Sequence, residues 1–326
     1  MIDQIFLANS AYAFFLYLLR FTEKIDSTLF MLGPSAILGD VPHKLPLFVR
    51  KPEELPVVAN VIRQQAYMLL DGRKVPVYGN VETVFSDFFI RNFDFYPFTD
   101  GLRDYVTFPE YLKDDRFKRC YTVRYEGGLD MVHDKLEYMD INALWHQKSD
   151  AERLRIAQVF GVTPEQTALL AKKRVLLITQ PLSEDKIMTS QDKIMLYRAI
   201  LSEYDLNDVV IKPHPREMSD YTQFFPNVSQ LPKLVPAELL GLMTPALDRV
   251  VTFFSTSAFN MLTPPQIDIY SRDFSKLKYY NADNAPRVTQ QGTFKCISSF
   301  DIEAVYKEHA FNWKRIPDEN HYFYTV

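Results

Sequence analysis

Short apolar runs alternate with longer helical stretches along almost the whole chain, and few architectures accept that rhythm. It is the pattern of βα units, which feed a parallel sheet covered by helices. In the first half the strand candidates are residues 5–9, 28–32, 75–78 and 120–125, with helices over 11–22, 53–70 and 81–92. Residues 130–173 turn polar and helical, which predicts a connection between domains in the form of a helical arm. A second α/β unit opens with a strand over 174–180, and a helix follows from Ser190, expected as its N-cap. Strands are predicted at 208–212, 248–254 and 265–271, a strand or loop around 228–234, and a helix entered through Pro236. The tail at 300–315 reads as a helix that crosses back onto the first domain. With 326 residues, two domains are expected, 1–155 and 156–326.

Composition excludes several function classes. A net charge of −4 gives no footprint for sequence-independent binding to nucleic acid. Two cysteines, Cys120 and Cys296, make neither a disulfide framework nor a zinc site, which suits a reducing compartment. The apolar N-terminus is interrupted by Gln4, Asn9 and Ser10 and has no basic residue before Arg20. That argues against a spanning helix and against a signal peptide, so a cytoplasmic protein is expected. The 19 tyrosines suit sugar stacking or a membrane-facing rim. Glycine-rich dinucleotide and P-loop fingerprints are missing, as are His-Glu-x-x-His, Cys-x-x-Cys and Asp-x-Asp.

Four strand-end sites carry the chemistry. Glu126 follows the strand at 120–125 and precedes Gly127 and Gly128, which let the backbone turn sharply and approach a ligand. A carboxylate there suits proton abstraction from a hydroxyl, against the plainer reading of a solvated turn acid. His214 stands between Pro213 and Pro215 at the end of a β-branched run, with Lys212 and Arg216 on either side. Each proline fixes its own φ and keeps the preceding residue extended. The loop therefore presents the imidazole either to a phosphate or as a turn residue capping the strand. Glu238 lies in the first turn of the helix after Pro236, where the helix dipole alone favours an acid and where a ribose diol would also be held. Ser255, Thr256 and Ser257 join a buried strand to a helix, as an anion site or as an N-cap.

This series resembles the bacterial lipooligosaccharide sialyltransferases of glycosyltransferase family 52. The family's acidic motif, His-Pro motif, Pro-x-Glu element and Ser-Ser/Thr motif correspond to Tyr125-Glu126-Gly127, Lys212-Pro213-His214-Pro215, Pro236-Ala237-Glu238 and Ser255-Thr256. Tyr125 stands where the family has a further acid. The resemblance implies a GT-B arrangement, two Rossmann-like domains facing a central cleft, and inverting transfer from CMP-sialic acid without a metal or other cofactor. It makes Glu126 the base and His214 the partner of the leaving phosphate. Gly127, Lys212, Pro215, Ser255 and Thr256 join them as binding residues, with Glu238 on the cytidine ribose and Gln180 near the nucleotide. It also implies a glycan acceptor, galactose-terminated, of lipooligosaccharide or capsule. Peripheral association with the inner face of the cytoplasmic membrane and a homodimer fit the same picture.

Other occupants of the same motifs are a transferase using CMP-Kdo or a nucleotide hexose, and a CDP-glycerol-type phosphotransferase. A non-catalytic nucleotide- or glycan-binding module would keep the phosphate cradle but need no Glu126.

Overall fold

The computed structural model describes residues 1–33, 40–47, 55–81, 83, 86–98, 111–123, 133–185, 188–244, 246–253, 255, 266–270 and 294–296. They fall into two compact units, Met1–Gly161 and Val162–Val326. Residues 155 and 156 both lie inside a helix of the first unit, so the division follows that helix instead of cutting it.

The first unit runs β1 (Gln4–Ala8), α1 (Ala11–Arg20), β2 (Thr28–Leu32), β3 (Lys44–Pro46), α2 (Leu55–Leu70), β4 (Val77–Gly79), α3 (Ser86–Asn92) and β5 (Phe95–Pro97). The strands form one parallel sheet in the order β3-β2-β1-β4-β5. A parallel pair, β6 (Cys120–Val123) and β7 (Leu136–Met139), follows, then α4 (Ile141–Gln147) and α5 (Asp150–Val159). Every residue of β1 and β2 is buried, as in a sheet covered on both faces.

Side-chain alternation gives the two faces different cores. Phe6 and Phe30 meet Phe14 and Tyr17 of α1 on one face, with the Phe6 and Tyr17 rings stacked at 4.1 Å. Ile5, Leu7, Leu29, Met31 and Val77 form the other with Ile62, Ala66 and Leu70 of α2 and Phe89 of α3. The buried polar groups on the aromatic face satisfy one another. Gln4 donates to Thr28 at 3.0 Å and to the Tyr17 hydroxyl, which lies 2.7 Å from Thr28. Residues 13–19 of α1 are all buried, which explains why its sequence is apolar all round.

The second unit runs α6 (Pro164–Leu170), β8 (Val175–Ile178), α7 (Ser190–Leu201), β9 (Val209–Lys212), β10 (Ser229–Gln230), α8 (Ala237–Met243), β11 (Arg249–Thr252), β12 (Gln266–Ile269) and β13 (Phe294–Cys296). Its parallel sheet has the order β10-β9-β8-β11-β12-β13. Ile178 pairs with both Lys212 and Thr252, so β8, β9 and β11 end level with one another. The chain steps outward from β8 through β9 to β10, then returns to β11 on the other side. The switch point therefore lies between β8 and β11, where open α/β sheets hold ligands beyond their carboxyl ends.

Several local expectations change. Within the predicted arm at 130–173, the described residues 133–173 are not a polar arm: β7 lies among them, and α4 and α5 bury Ile141, Trp145, Ile156, Ala157 and Val159. Phe160 packs edge-on to Phe14 at 5.4 Å, and Asp40 donates to the Val159 carbonyl. The N-cap of α7 is Thr189 instead of Ser190, because Thr189 has extended backbone and forms a reciprocal capping box with Asp192. β3, β5 and β13 have three residues each, too few to show a period. The predicted helix at 300–315 lies outside the described residues. Among the described residues no helix is long and apolar enough to cross a membrane.

Candidate active site

Three of the expected site residues stand at the carboxyl edge of the second sheet, each just beyond one of the level strands. Gln180, past β8, is buried, and its backbone N–H donates to the Tyr197 hydroxyl of α7 at 2.7 Å. His214, past β9, is half-buried in the loop that Pro213 and Pro215 stiffen. Ser255, past β11, is buried, and its N–H donates to Oγ1 of Thr252 at 2.9 Å. Pro215 is partly exposed at the turn. Glu238 is buried in the first turn of α8 behind Pro236.

The imidazole has a defined orientation and charge. The Arg216 N–H donates to His214 Nδ1 at 3.2 Å, so the neutral ring carries its proton on Nε2. Burial, then the positive charges of Lys212 and Arg216, push the His214 pKa down to about 4. In the free protein at neutral pH His214 is thus a neutral hydrogen-bond donor.

Lys212 takes a different place from the one expected for a ligand-binding cation. Its ammonium is buried and donates to the Pro213 carbonyl at 2.7 Å and the Lys233 carbonyl at 2.8 Å. Burial lowers its pKa to about 8, although the carboxylates of Glu217 and Glu238 oppose that shift. Lys212 therefore joins the His-Pro loop to the segment that leads into α8.

The side chain that organises this edge was missed by the sequence reading. Glu217 is buried, and each of its carboxylate oxygens accepts two hydrogen bonds. Oε1 takes Tyr221 Oη at 2.5 Å and Lys193 Nζ at 3.3 Å, while Oε2 takes the His214 N–H at 2.6 Å and the Thr179 hydroxyl. The Glu217 N–H returns to the His214 carbonyl at 3.0 Å, and Lys233 donates to the Glu217 carbonyl. Lys193, fully buried, also bonds Glu184 at 2.9 Å. Glu184 in turn accepts the Met218 N–H at 2.7 Å. Burial alone would raise the Glu184 pKa, but these two donors reverse the effect and bring it to about 2. Arg216 closes the edge from outside with a two-pronged pair to Asp185 at 2.5 and 2.9 Å. One signal in the sequence pointed to Glu217: an acid three residues after His214 has the spacing at which a side chain reaches back to a loop N–H.

Glu126, Gly127 and Thr256 lie outside the described residues, and β6 ends at Val123, three positions before Glu126. The carboxyl edge of the first sheet has a different character. Asn80 donates its N–H to the Leu7 carbonyl at 3.0 Å and its amide to the Phe98 carbonyl at 3.1 Å, and accepts the Asn9 N–H at 3.4 Å. Gly79 has φ +141, and a Cβ there would lie 2.0 Å from the Leu7 carbonyl oxygen. Asn9 is exposed, and its amide oxygen lies where a Cβ on Gly33 would come within 2.5 Å. Among the described residues no group of three or more His, Cys, Asp or Glu is placed to hold a metal ion.

Comparison with known proteins agrees with this architecture. Residues 58–274 match the sequence profile of Glycosyltransferase family 52. An uncharacterized protein of Haemophilus influenzae is 35% identical over 207 residues, covering 60% of this chain and 67% of the relative. The crystal structure of the GT-B domain of a sialyltransferase from Photobacterium damselae superposes with a TM-score of 0.51 at 12% identity, over 90% of this chain and 98% of that one. A second structure of a sialyltransferase from that organism gives 0.50 at 12% identity, over 91% and 82%. The likeness is one of fold and places both units in a GT-B architecture.

Proposed function

The chain belongs to glycosyltransferase family 52 and is a glycosyltransferase, and from that premise we propose that it moves sialic acid, or a related nonulosonic acid, from a CMP donor to a terminal galactose of a bacterial surface glycan. The observation that carries this reading is the orientation of His214. Its Nδ1 is occupied by the Arg216 N–H, which leaves Nε2–H as a donor at the switch-point edge of the second sheet. A phosphate is the ligand that such an edge suits.

In the proposed reaction an acceptor hydroxyl attacks the anomeric carbon while the bond from that carbon to the CMP phosphate oxygen breaks, with inversion. The hydroxyl proton passes to Glu126, and the bonding electrons leave with CMP. A phosphate monoester has a second pKa of about 6, so departing CMP is stable as a dianion. It needs a hydrogen bond more than a full proton, and neutral His214 supplies that from Nε2. The buried edge strengthens the interaction as charge develops. Ser255 and Thr256 are proposed to share the same phosphate and Glu238 to take the cytidine ribose. Metal independence is part of the proposal because the sequence offers no Asp-x-Asp pair for a nucleoside diphosphate.

The test is incubation with CMP-sialic acid and a panel of galactosides, with and without EDTA, followed by mass measurement. A mass increase of one sialyl residue that persists in EDTA is expected. Thermal stabilisation by UDP and not by CMP, or strict dependence on Mg²⁺ or Mn²⁺, would instead mark a nucleotide-hexose donor.

A further inference from the structure

His214 is held through its main chain, and the group that holds it is Glu217. We propose that Glu217 is a positioning residue for the transfer, setting the loop so that the Nε2 of His214 is aimed at the leaving phosphate. The inference rests on the reading of His214 given above.

Three observations carry it. First, the carboxylate has its full complement of partners: four donors occupy its two oxygens. A buried, charge-assisted set of this kind resists distortion far more than a single surface hydrogen bond. Second, the donors come from separate parts of the unit. Thr179 precedes Gln180 at the end of β8, Lys193 belongs to α7, His214 stands past β9, and Tyr221 begins the turn beyond it. Glu217 thus couples the loops bearing Gln180 and His214, two residues assigned to the nucleotide. Third, the bond pair between His214 and Glu217 is reciprocal, with N–H to carboxylate at 2.6 Å and N–H to carbonyl at 3.0 Å. That closes the tight loop in which Arg216 N–H reaches the ring nitrogen. Without Glu217 nothing else among the described residues holds the His214 N–H.

A buried acid with four partners has a simpler role, supporting the fold alone. The two roles differ in what the imidazole experiences. The ring is surrounded by Lys212, Arg216 and Glu184, and burial in the closed loop is the largest cause of its low pKa of about 4. If Glu217 holds that loop, Glu217→Gln should release the ring and move its titration toward the ordinary value of about 6.5. Turnover should fall about 10–10²-fold with donor KM within about threefold, the pattern of lost orientation.

The experiment combines NMR titration of the His214 ring, melting temperature and steady-state kinetics on the full chain. Tyr221→Phe and Thr179→Val each remove one donor while keeping the buried Lys193–Glu217 pair, so they remain informative if Glu217→Gln fails to fold. Each should shift the ring titration in the same direction and lower kcat about 3–10-fold. Asp268→Asn alters another buried carboxylate of the unit, which accepts from Tyr204, Gln266 and Arg249. It should lower the melting temperature and leave His214 unmoved. Folded variants at Glu217, Tyr221 and Thr179 whose ring titration and kcat match the wild type would overturn the proposal. The titration needs no donor, so it separates failure of the positioning role from failure of the CMP reading. A moved ring with no turnover of CMP-sialic acid in the wild type would indict only the donor.

Discussion

In the first unit the chain leaves β1 at Asn9 and β4 at Asn80, and the corners are tied by a neutral carboxamide. In the second it leaves β8 at Thr179 and β9 at Pro213, and the corners are tied by a buried carboxylate with a buried ammonium beside it. Strand order near the two switch points is the same. An amide costs less to desolvate than a charge does, and an imperfect partner at its side is correspondingly less damaging. A buried charge does not: removing one partner leaves the other uncompensated, at about 3–5 kcal/mol. The second edge should therefore keep its geometry closely and fail abruptly, while the first should accept changes wherever its backbone contacts survive.

The strongest test removes the two groups proposed to react. Glu126→Gln should reduce transfer about 10²–10⁴-fold and His214→Ala about 10²–10³-fold, measured as kcat. Only the second substitution should alter the stabilisation of the protein by CMP. Near-normal turnover in either variant would remove that residue from the mechanism.

The tolerance of the first edge has a predicted exception. Gly79→Ala should destabilise the protein by about 3 kcal/mol, seen as a lower denaturant midpoint. The added Cβ would enter the backbone of β1 at Leu7, in a conformation L-residues avoid. An unchanged midpoint would mean that β1 and β4 have room to separate.

A smaller effect concerns pH. His214 titrates near 4 in the fold and near 6.5 when unfolded, so the unfolded chain binds the extra proton between those values. Its contribution to stability is complete above about 6.5 and is lost as pH falls toward about 4. Donation from neutral Nε2 should make the His214 limb of turnover vary less than about threefold between about pH 5 and about pH 8. A steady fall as pH rises through about 6.5 would identify imidazolium as the acting form. In Asn9→Ala acceptor KM should rise about three- to tenfold if the exposed amide meets the acceptor, with donor KM unaltered. A rise in donor KM there would contradict that assignment of Asn9.

Much of the second edge was legible in the chain. Pro213 and Pro215 bracket His214 in a way that local sterics alone interpret, and a strand before it was evident from Val209, Val210 and Ile211. Glu217 was not singled out, since an acid in a polar loop looks solvated until Thr179, Lys193 and Tyr221 are brought to it from other elements. Lys212 shows the same limit: a lysine beside a histidine suggests a ligand, and only the fold shows its ammonium enclosed by two carbonyls. In the first unit the strands of β1 and β2 were plain, whereas β3 and β5 are short pieces made strands by their neighbours. The helices at 141–159 looked polar because their buried faces are narrow.

The sequence by itself determined the parallel α/β class, the order of the strand-end motifs and the extended His-Pro loop. Those follow from periodicity and from dihedral limits that act within a few residues. Only the tertiary structure decided which charges are buried together, which nitrogen of His214 carries the proton, and that the ring rests neutral. The pairing of buried charges depends on partners 20 or more residues away, as between Glu217 and Lys193 at a separation of 24. The state of the His214 ring depends on desolvation and on the closed loop in which the Arg216 N–H reaches Nδ1.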